Sequence, residues 1–240
     1  MIYTKIGIIG AMAEEVMLLE QDLQQSNQIV QAGMTFYEGT LFDIPIVLCK
    51  SGVGKVNAAV CTQILVDRFN VDCIWFTGVA GALDPELNIG DIVISIDCIQ
   101  HDVDVRALGF ELGVIPYAET STFTADPELV EHAYQASKQL FGSRVLKGRV
   151  LSGDQFIADR NKVKQLHLEL SGMCTEMEGA AVAQVCQMNQ VPFVVIRSMS
   201  DKADGSAQIN FSEFTQLASE NSYKLIAHMV KGLSGQIKQA

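Results

Sequence analysis

The chain has 240 residues, of which 48% are hydrophobic and 19% are charged, and its formal net charge is −11. So acidic a surface repels phosphate backbones and anionic lipid, which argues against a nucleic-acid-binding or membrane-surface protein. No apolar run approaches the roughly 18–20 residues that span a bilayer. The six cysteines lie in apolar segments without a Cys-x-x-Cys pair. We therefore expect buried free thiols and a cytoplasmic protein.

Short apolar runs of strand length alternate along the chain with amphipathic segments of helix length. The first half is predicted to form strands at 5–9, 35–41, 45–50, 73–77 and 91–96, with helices over about 13–25 and 54–69. The second half is predicted to form helices over about 127–141, 159–170, 178–189 and 211–235, with strands at 145–151, 173–177 and 192–199. This alternation predicts one α/β domain over 1–240, with a mixed, largely parallel central sheet flanked by helices.

Three glycine-rich turns follow predicted strands, at Gly7–Gly10, Ser51–Lys55 and Thr77–Gly81. The second turn is not a P-loop, because Cys49 occupies the place of the first glycine and Val56 follows the lysine. A dinucleotide fingerprint is also excluded, since position 57 is asparagine where a third glycine is needed. Such turns let the backbone approach a ligand closely, although tight turns without any ligand explain them equally well.

Cations are missing around two of these turns. Neither Lys nor Arg occurs in 6–49 or in 69–105. A site that grips phosphate normally carries such a cation. Phosphate is therefore disfavoured as a co-substrate.

Acidic residues stand where three predicted strands end. Glu14 and Glu15 follow the first strand, Glu176 and Glu178 end the 173–177 strand, and Asp201 follows the 192–199 strand. Ligands collect at the carboxyl ends of parallel strands. Any one of these carboxylates can simply complement a helix N-terminus. Together they favour acid–base hydrolysis, in which a protonated acid assists the leaving group and an ionised one activates water.

A metal site is the competing use of such carboxylates. The only local cluster of ligand residue types is His101-Asp102-Val103-Asp104, and no matching His or Cys spacing occurs elsewhere. We therefore predict no metal and no cofactor.

Six blocks of the sequence, taken together, resemble one known family. They are Gly7–Val16, Ser51–Ala59, Thr77–Gly81, Ser152–Ile157, Glu176–Glu178 and Ser200–Asp201. In this order and spacing they look like the bacterial 5'-methylthioadenosine/S-adenosylhomocysteine nucleosidases, within the nucleoside phosphorylase superfamily, over about residues 4–230. The resemblance implies a nucleoside phosphorylase-like fold. It also implies hydrolysis of the bond between adenine and a 5'-thio-substituted ribose.

The resemblance further implies roles for single residues. Glu15 would activate the attacking water, Asp201 would protonate N7 of adenine, and Glu178 would accept hydrogen bonds from the ribose hydroxyls. Further substrate contacts are implied for Val53, Val79, Phe156, Ile157, Met177, Ser200 and Phe211. Among these, Phe156 would stack on adenine and Ser200 would orient the acid. That acid must hold a proton near neutral pH, which burial beside other carboxyl groups favours.

The family pairs as a homodimer in which the neighbour completes the 5' pocket, so Leu108 and Pro116 are expected to reach the partner's substrate. Arg106 and Leu108 depart from the commonest family residues, which leaves the 5' selectivity open. The alternative enzyme is a related hydrolase or phosphorylase with another 5' group, such as futalosine or 5'-deoxyadenosine. A third hypothesis is a non-catalytic nucleoside-binding protein, and the presence of all three catalytic acids argues against it.

Overall fold

Ten strands and six α-helices alternate along the computed structural model, which describes residues 3–202 and 207–237. Side chains at 207–213, 215 and 234–237 lie outside the described part. The strands are β1 (Ile6–Gly10), β2 (Gln24–Gln31), β3 (Met34–Leu41), β4 (Ile44–Lys50), β5 (Cys73–Ala82), β6 (Ile92–Gln100), β7 (Phe123–Thr124), β8 (Val145–Ser152), β9 (Gly172–Glu176) and β10 (Phe193–Asp201). The helices are α1 (Ala13–Asp22), α2 (Lys55–Phe69), α3 (Pro127–Phe141), α4 (Arg160–Leu170), α5 (Gly179–Met188) and α6 (Ala207–Ile237), with a 3₁₀ turn at Arg106–Leu108.

The strands form one mixed sheet, and part of that sheet closes on itself. The strand order is β10-β6-β8-β9-β5-β1-β4-β3-β2, and β10 also pairs with β5. The strands β5, β10, β6, β8 and β9 therefore form a closed ring. Parallel pairs join β5 to β1 and β10, and antiparallel pairs join β5 to β9 and β6 to β10. The mixed α/β architecture predicted from the sequence is confirmed.

The strand register places three predicted site segments next to one another. Asp201 of β10 lies opposite Gly81 of β5, and Gly81 lies opposite Thr175 of β9. β1 runs parallel to β5 on its other side. The ends of the parallel strands β1, β5 and β10 therefore lie at the same edge of the sheet. β9 is antiparallel to β5, but its last residues pair with the end of β5 and so join them.

The buried strands begin close to the predicted residues, and most helices begin and end close to them. All five residues of β1 are buried, as in a central strand covered on both faces. Helix α3 begins where predicted, because Asp126 Oδ1 accepts hydrogen bonds from the backbone N–H groups of Glu128 and Leu129, both at 3.0 Å. Each of the six cysteines is buried and free. No described helix is long and apolar enough to cross a membrane.

Several predicted boundaries are wrong. β5 and β6 extend to Ala82 and Gln100, beyond their predicted ends at 77 and 96, and the short β7 is not predicted. The helix predicted over 13–25 ends at Asp22, and the unpredicted strand β2 begins at Gln24. The strand begins Gln-Gln-Ser-Asn-Gln and lies at the edge of the sheet, where its residues are exposed or only half-buried. Hydrophobic alternation cannot reveal a strand that has no buried face.

Candidate active site

A cavity of about 330 Å³ opens where β1, β5, β9 and β10 end. It gathers most of the predicted site residues, namely Glu15, Val53, Val79, Phe156, Ile157, Met177, Glu178, Ser200 and Asp201. Ala11, Met12, Ala80, Gly81, Gln155, Thr175 and Glu176 complete its lining. Six segments that are distant in sequence thus meet around one apolar cavity with several carboxyl groups.

Three predicted substrate contacts are not among these lining residues. Leu108 lies in the 3₁₀ turn and is 73% exposed, and Pro116 lies in the following loop. Phe211 belongs to α6, but its side chain lies outside the described residues. The cavity of a single chain is therefore built without Leu108 and Pro116.

Glu15 is held at the start of α1 with its carboxylate inside the protein. Its Oε2 accepts hydrogen bonds from the backbone N–H groups of Ala11 and Met12, at 2.7 and 2.9 Å, and its Oε1 accepts one from Val79 N–H at 3.0 Å. Burial raises the pKa of Glu15, although Arg197 and these N–H groups oppose the rise. The result is a fixed carboxylate that is a stronger base than an ordinary glutamate.

Glu178 precedes α5 and lies in the same cavity. Its Oε1 accepts a hydrogen bond from the backbone N–H of Gly54 at 2.7 Å, which links the second glycine-rich turn to the site. Burial raises the pKa of Glu178, and the neighbouring Glu176 carboxylate raises it further. This carboxyl group therefore holds its proton to higher pH than an exposed glutamate.

Asp201 is the last residue of β10 and is 2% exposed. The Ser200 hydroxyl lies 2.9 Å from its Oδ2 and donates a hydrogen bond to it. The same hydroxyl lies 3.4 Å from the carbonyl oxygen of Ala80 on the neighbouring strand. The predicted pairing of Ser200 with Asp201 is therefore present, and it holds the acid at the cavity wall.

A buried ion pair behind the cavity was missed by the sequence analysis. Arg197 Nη2 lies 2.6 Å from Glu176 Oε2, and both side chains are almost completely buried. The guanidinium also lies 3.9 Å above the ring of Phe76 and donates to the carbonyl oxygen of Ile196. Arg197 stands in an apolar predicted strand, where a charged residue requires a buried partner. A single arginine in an apolar strand is therefore the feature of the sequence that indicates a buried ion pair.

Glu176 accepts several hydrogen bonds besides those of Arg197. It accepts hydrogen bonds from the Gly179 N–H at 2.9 and 2.8 Å and a very short one from the Ser152 hydroxyl. The described lining residues include four with carboxyl groups, Glu15, Glu176, Glu178 and Asp201, and neither Lys nor Arg. The guanidinium of Arg197 lies behind them and pairs with Glu176. Such a site stabilises positive charge that develops on a bound molecule.

The residues considered for a metal have other roles. Asp102 lies 2.6 Å from Lys55 Nζ in an ion pair, and His101 is buried. Throughout the described part of the chain, no three His, Cys, Asp or Glu side chains are grouped so that they could hold a metal ion.

Comparison with known proteins agrees with this fold. A family model described as the Phosphorylase superfamily matches residues 5–231, and this is the class of protein that the fold and the site define. The 5'-methylthioadenosine/S-adenosylhomocysteine nucleosidase of Tolumonas auensis is 43% identical over 230 residues, which are 95% of this chain and 100% of that protein. The chain belongs to the family of 5'-methylthioadenosine/S-adenosylhomocysteine nucleosidases.

Solved structures extend the comparison. The nucleosidase of Neisseria meningitidis, in complex with methylthio-immucillin-A, is 38% identical and superimposes with a TM-score of 0.91, covering 95% of this chain and 99% of that one. The futalosine hydrolase of Helicobacter pylori is 34% identical with a TM-score of 0.91, covering 95% and 98%. One fold thus serves relatives with different names.

Proposed function

We propose that this protein hydrolyses the N-ribosyl bond of 5'-methylthioadenosine and S-adenosylhomocysteine, releasing adenine and the 5-thioribose product. The observation that carries the proposal is the meeting of Glu15, Glu178 and Asp201 in one cavity. Breaking an N-ribosyl bond creates positive charge on the ribose, which an ionised carboxylate in the cavity stabilises, while a protonated one assists the leaving base. The similarity to the 5'-methylthioadenosine/S-adenosylhomocysteine nucleosidase of Tolumonas auensis, at 43% identity, supports the same reaction.

On the ribose side, Glu15 activates the attacking water. Its two oxygens are fixed by three backbone N–H groups, and its raised pKa makes it the stronger base that proton abstraction needs. Glu178 accepts hydrogen bonds from the ribose hydroxyls, and Met177 packs against the sugar. Both residues line the same cavity as the base.

On the adenine side, Asp201 delivers a proton to N7 of the leaving base. Adenine leaves poorly as an anion, so protonation lowers the barrier. Ser200 orients the acid through its 2.9 Å hydrogen bond. Phe156 stacks on the ring, and the backbone of Ile157 reads the edge of the base. Both residues line the cavity opening.

The assignment of Glu15 predicts that Gly78→Ala lowers kcat about 10²-fold, because small misplacements of a reacting group have effects of that size. A Cβ at Gly78 would lie 2.6 Å from Glu15 Oε1 and 3.0 Å from its Cδ, so the carboxylate must move. Steady-state adenine release measures the effect.

The matched control is Gly232→Ala in α6, where the nearest atom to an added Cβ is His132 Cε1 at 3.4 Å. We expect unchanged kcat in the control. Wild-type kcat in Gly78→Ala would contradict the position assigned to the base.

We also propose that the protein acts as a cytoplasmic homodimer in which the neighbour completes the 5' pocket. Leu108 and Pro116 do not line their own chain's cavity, which fits a role in the partner's site. The Leu108 side chain is 73% exposed in the single chain, which leaves it accessible to a second copy.

A second candidate keeps the chemistry and changes the 5' group. The futalosine hydrolase of Helicobacter pylori has the same fold at 34% identity. The described residues that line the cavity do not include Leu108 or Pro116, so the 5' side is not defined by this chain alone. Futalosine and 5'-deoxyadenosine are therefore the substrates to compare with methylthioadenosine.

The test is adenine release from methylthioadenosine in phosphate-free buffer, with a parallel reaction at millimolar phosphate. We expect equal rates and free methylthioribose in both, because the described cavity lining has no cation to hold phosphate. Release only with phosphate would assign the protein to phosphorolysis. Faster hydrolysis of futalosine than of methylthioadenosine would favour the second candidate.

A further inference from the structure

Two loops that line the cavity are joined by an ion pair outside the chemistry described so far. The first loop, residues 51–54, ends at α2 and contributes Val53 to the cavity. The second, residues 153–157, contributes Phe156 and Ile157. Asp102, just after β6, contacts Lys55, the first residue of α2 after the first loop, and Asp154 of the second loop. Its Oδ1 lies 2.6 Å from Lys55 Nζ, and its Oδ2 accepts a hydrogen bond from Asp154 N–H at 2.9 Å.

The N-terminus of α2 is capped by residues from other segments. Gly54, the residue before the helix, provides no side-chain cap, and the first turn contains no acidic residue. Carboxylates from other segments replace the missing cap. Asp154 Oδ1 accepts a hydrogen bond from the Lys55 N–H at 2.9 Å, and Glu178 Oε1 accepts one from the Gly54 N–H at 2.7 Å. A lysine at a helix N-terminus is unfavourable alone. The Asp102 and Asp154 carboxylates, which belong to other loops, offset the charge of Lys55.

The close approach requires glycine at position 54. Gly54 has φ of +99°, and a Cβ there would lie 3.3 Å from Asp154 Oδ1. The Lys55 and Asp102 side chains are each 17% exposed, so water screens their interaction only in part. Gln100 Oε1 accepts a further hydrogen bond from Lys55 Nζ at 2.9 Å. Lys55 Nζ thus binds two residues at the end of β6, Gln100 and Asp102.

We infer that Lys55 and Asp102 are positioning residues that set the spacing between the ribose-binding Glu178 and the adenine-binding loop. At one end of this connection, the Gly54 N–H donates a hydrogen bond to Glu178. At the other end, the N–H of Asp154, two residues before Phe156, donates one to Asp102. A nucleoside must contact both Glu178 and the loop 153–157 at once, whereas free adenine contacts only the loop. The ion pair therefore contributes to the recognition of a base joined to a sugar. This inference rests on the proposed function.

The test is Lys55→Met, with the KM for methylthioadenosine and the inhibition constant of adenine measured side by side. We expect KM to rise about tenfold, the loss typical of a hydrogen bond to a charged group. The adenine constant stays within about twofold, because Asp102 still holds the Asp154 N–H. Lys55→Arg, which keeps the charge, restores KM. Asp102→Ala is the second variant, and it raises both constants because both loops are released.

The matched control is Asp97→Ala, which breaks an ion pair of similar burial between β6 and β8. Arg149 Nε lies 2.7 Å from Asp97 Oδ1, with side chains 26% and 13% exposed, and neither residue lines the cavity. We expect both constants to match wild type. Unchanged KM in Lys55→Met, a parallel rise of both constants in that variant, or the same split in Asp97→Ala would overturn the inference.

Failure of the proposed function is recognised separately. It is indicated when wild-type protein releases no adenine. In that event the same variants are compared by calorimetry, using methylthioadenosine and adenine as ligands. The split between the two dissociation constants then decides the inference.

Discussion

Replacing Asp201 by Asn is expected to lower kcat for adenine release about 10³-fold, within the range that general acid catalysis contributes. Asparagine has the same shape but cannot deliver a proton to N7. The residue is 2% exposed and the Ser200 hydroxyl donates to its Oδ2, a hydrogen bond that the amide oxygen can also accept. Substrate binding is therefore expected to persist. Single-turnover kinetics and calorimetry with methylthioadenosine measure the two effects.

The matched control for this change is Asp91→Asn. Asp91 is 6% exposed and accepts a hydrogen bond from Asn88 N–H at 2.8 Å, but it does not line the cavity. We expect the control to retain turnover even where its stability falls. Rapid turnover in Asp201→Asn, or an equal loss in both variants, would contradict the role of Asp201 as the acid.

Glu15→Gln is expected to lower kcat by a similar factor, about 10²–10³-fold, because the amide cannot accept the proton of the attacking water. Its side chain can still occupy the same space. In the wild type, the base must be ionised, so kcat/KM falls as the pH drops through the pKa of Glu15. Since burial raises that pKa, the acid limb lies above the ordinary glutamate range. The variant loses this limb.

Glu14→Gln is the control for the base, because Glu14 is the adjacent residue and is exposed. It is expected to keep both the rate and the pH profile of the wild type. If Glu15→Gln retained wild-type turnover, the water would be activated by another group. An unchanged acid limb in the variant would lead to the same conclusion.

Much of the site could be predicted because its residues follow strands whose apolar character is obvious. The 192–199 segment was predicted as a strand, and the acid after it lies at the cavity wall. The roles of individual residues came from resemblance to a family, and they stay predictions until the variants are measured. Leu108 and Pro116 do not line the described cavity, so their contact with a substrate stays a prediction.

Arg197 and β2 were missed for opposite reasons. Arg197 is a single charge in a strongly apolar strand, and its partner Glu176 is 21 residues away. Pairing across that distance depends on the fold. Strand β2 has no buried face, so its sequence carries no periodic signal. Lys55 was considered only as a failed P-loop lysine, and its link to Asp102 spans 47 residues.

The sequence by itself determined the alternation of strands and helices and the presence of carboxyl groups at strand ends, because both depend on local spacing and residue type. Local spacing and residue type did not distinguish Glu14 from Glu15, and only the resemblance to a family assigned the base to Glu15. Only the tertiary structure decided which carboxylate is buried, which is paired and which pKa values rise. Those properties depend on desolvation and on contacts such as that between Gly54 and Glu178, which are 124 residues apart.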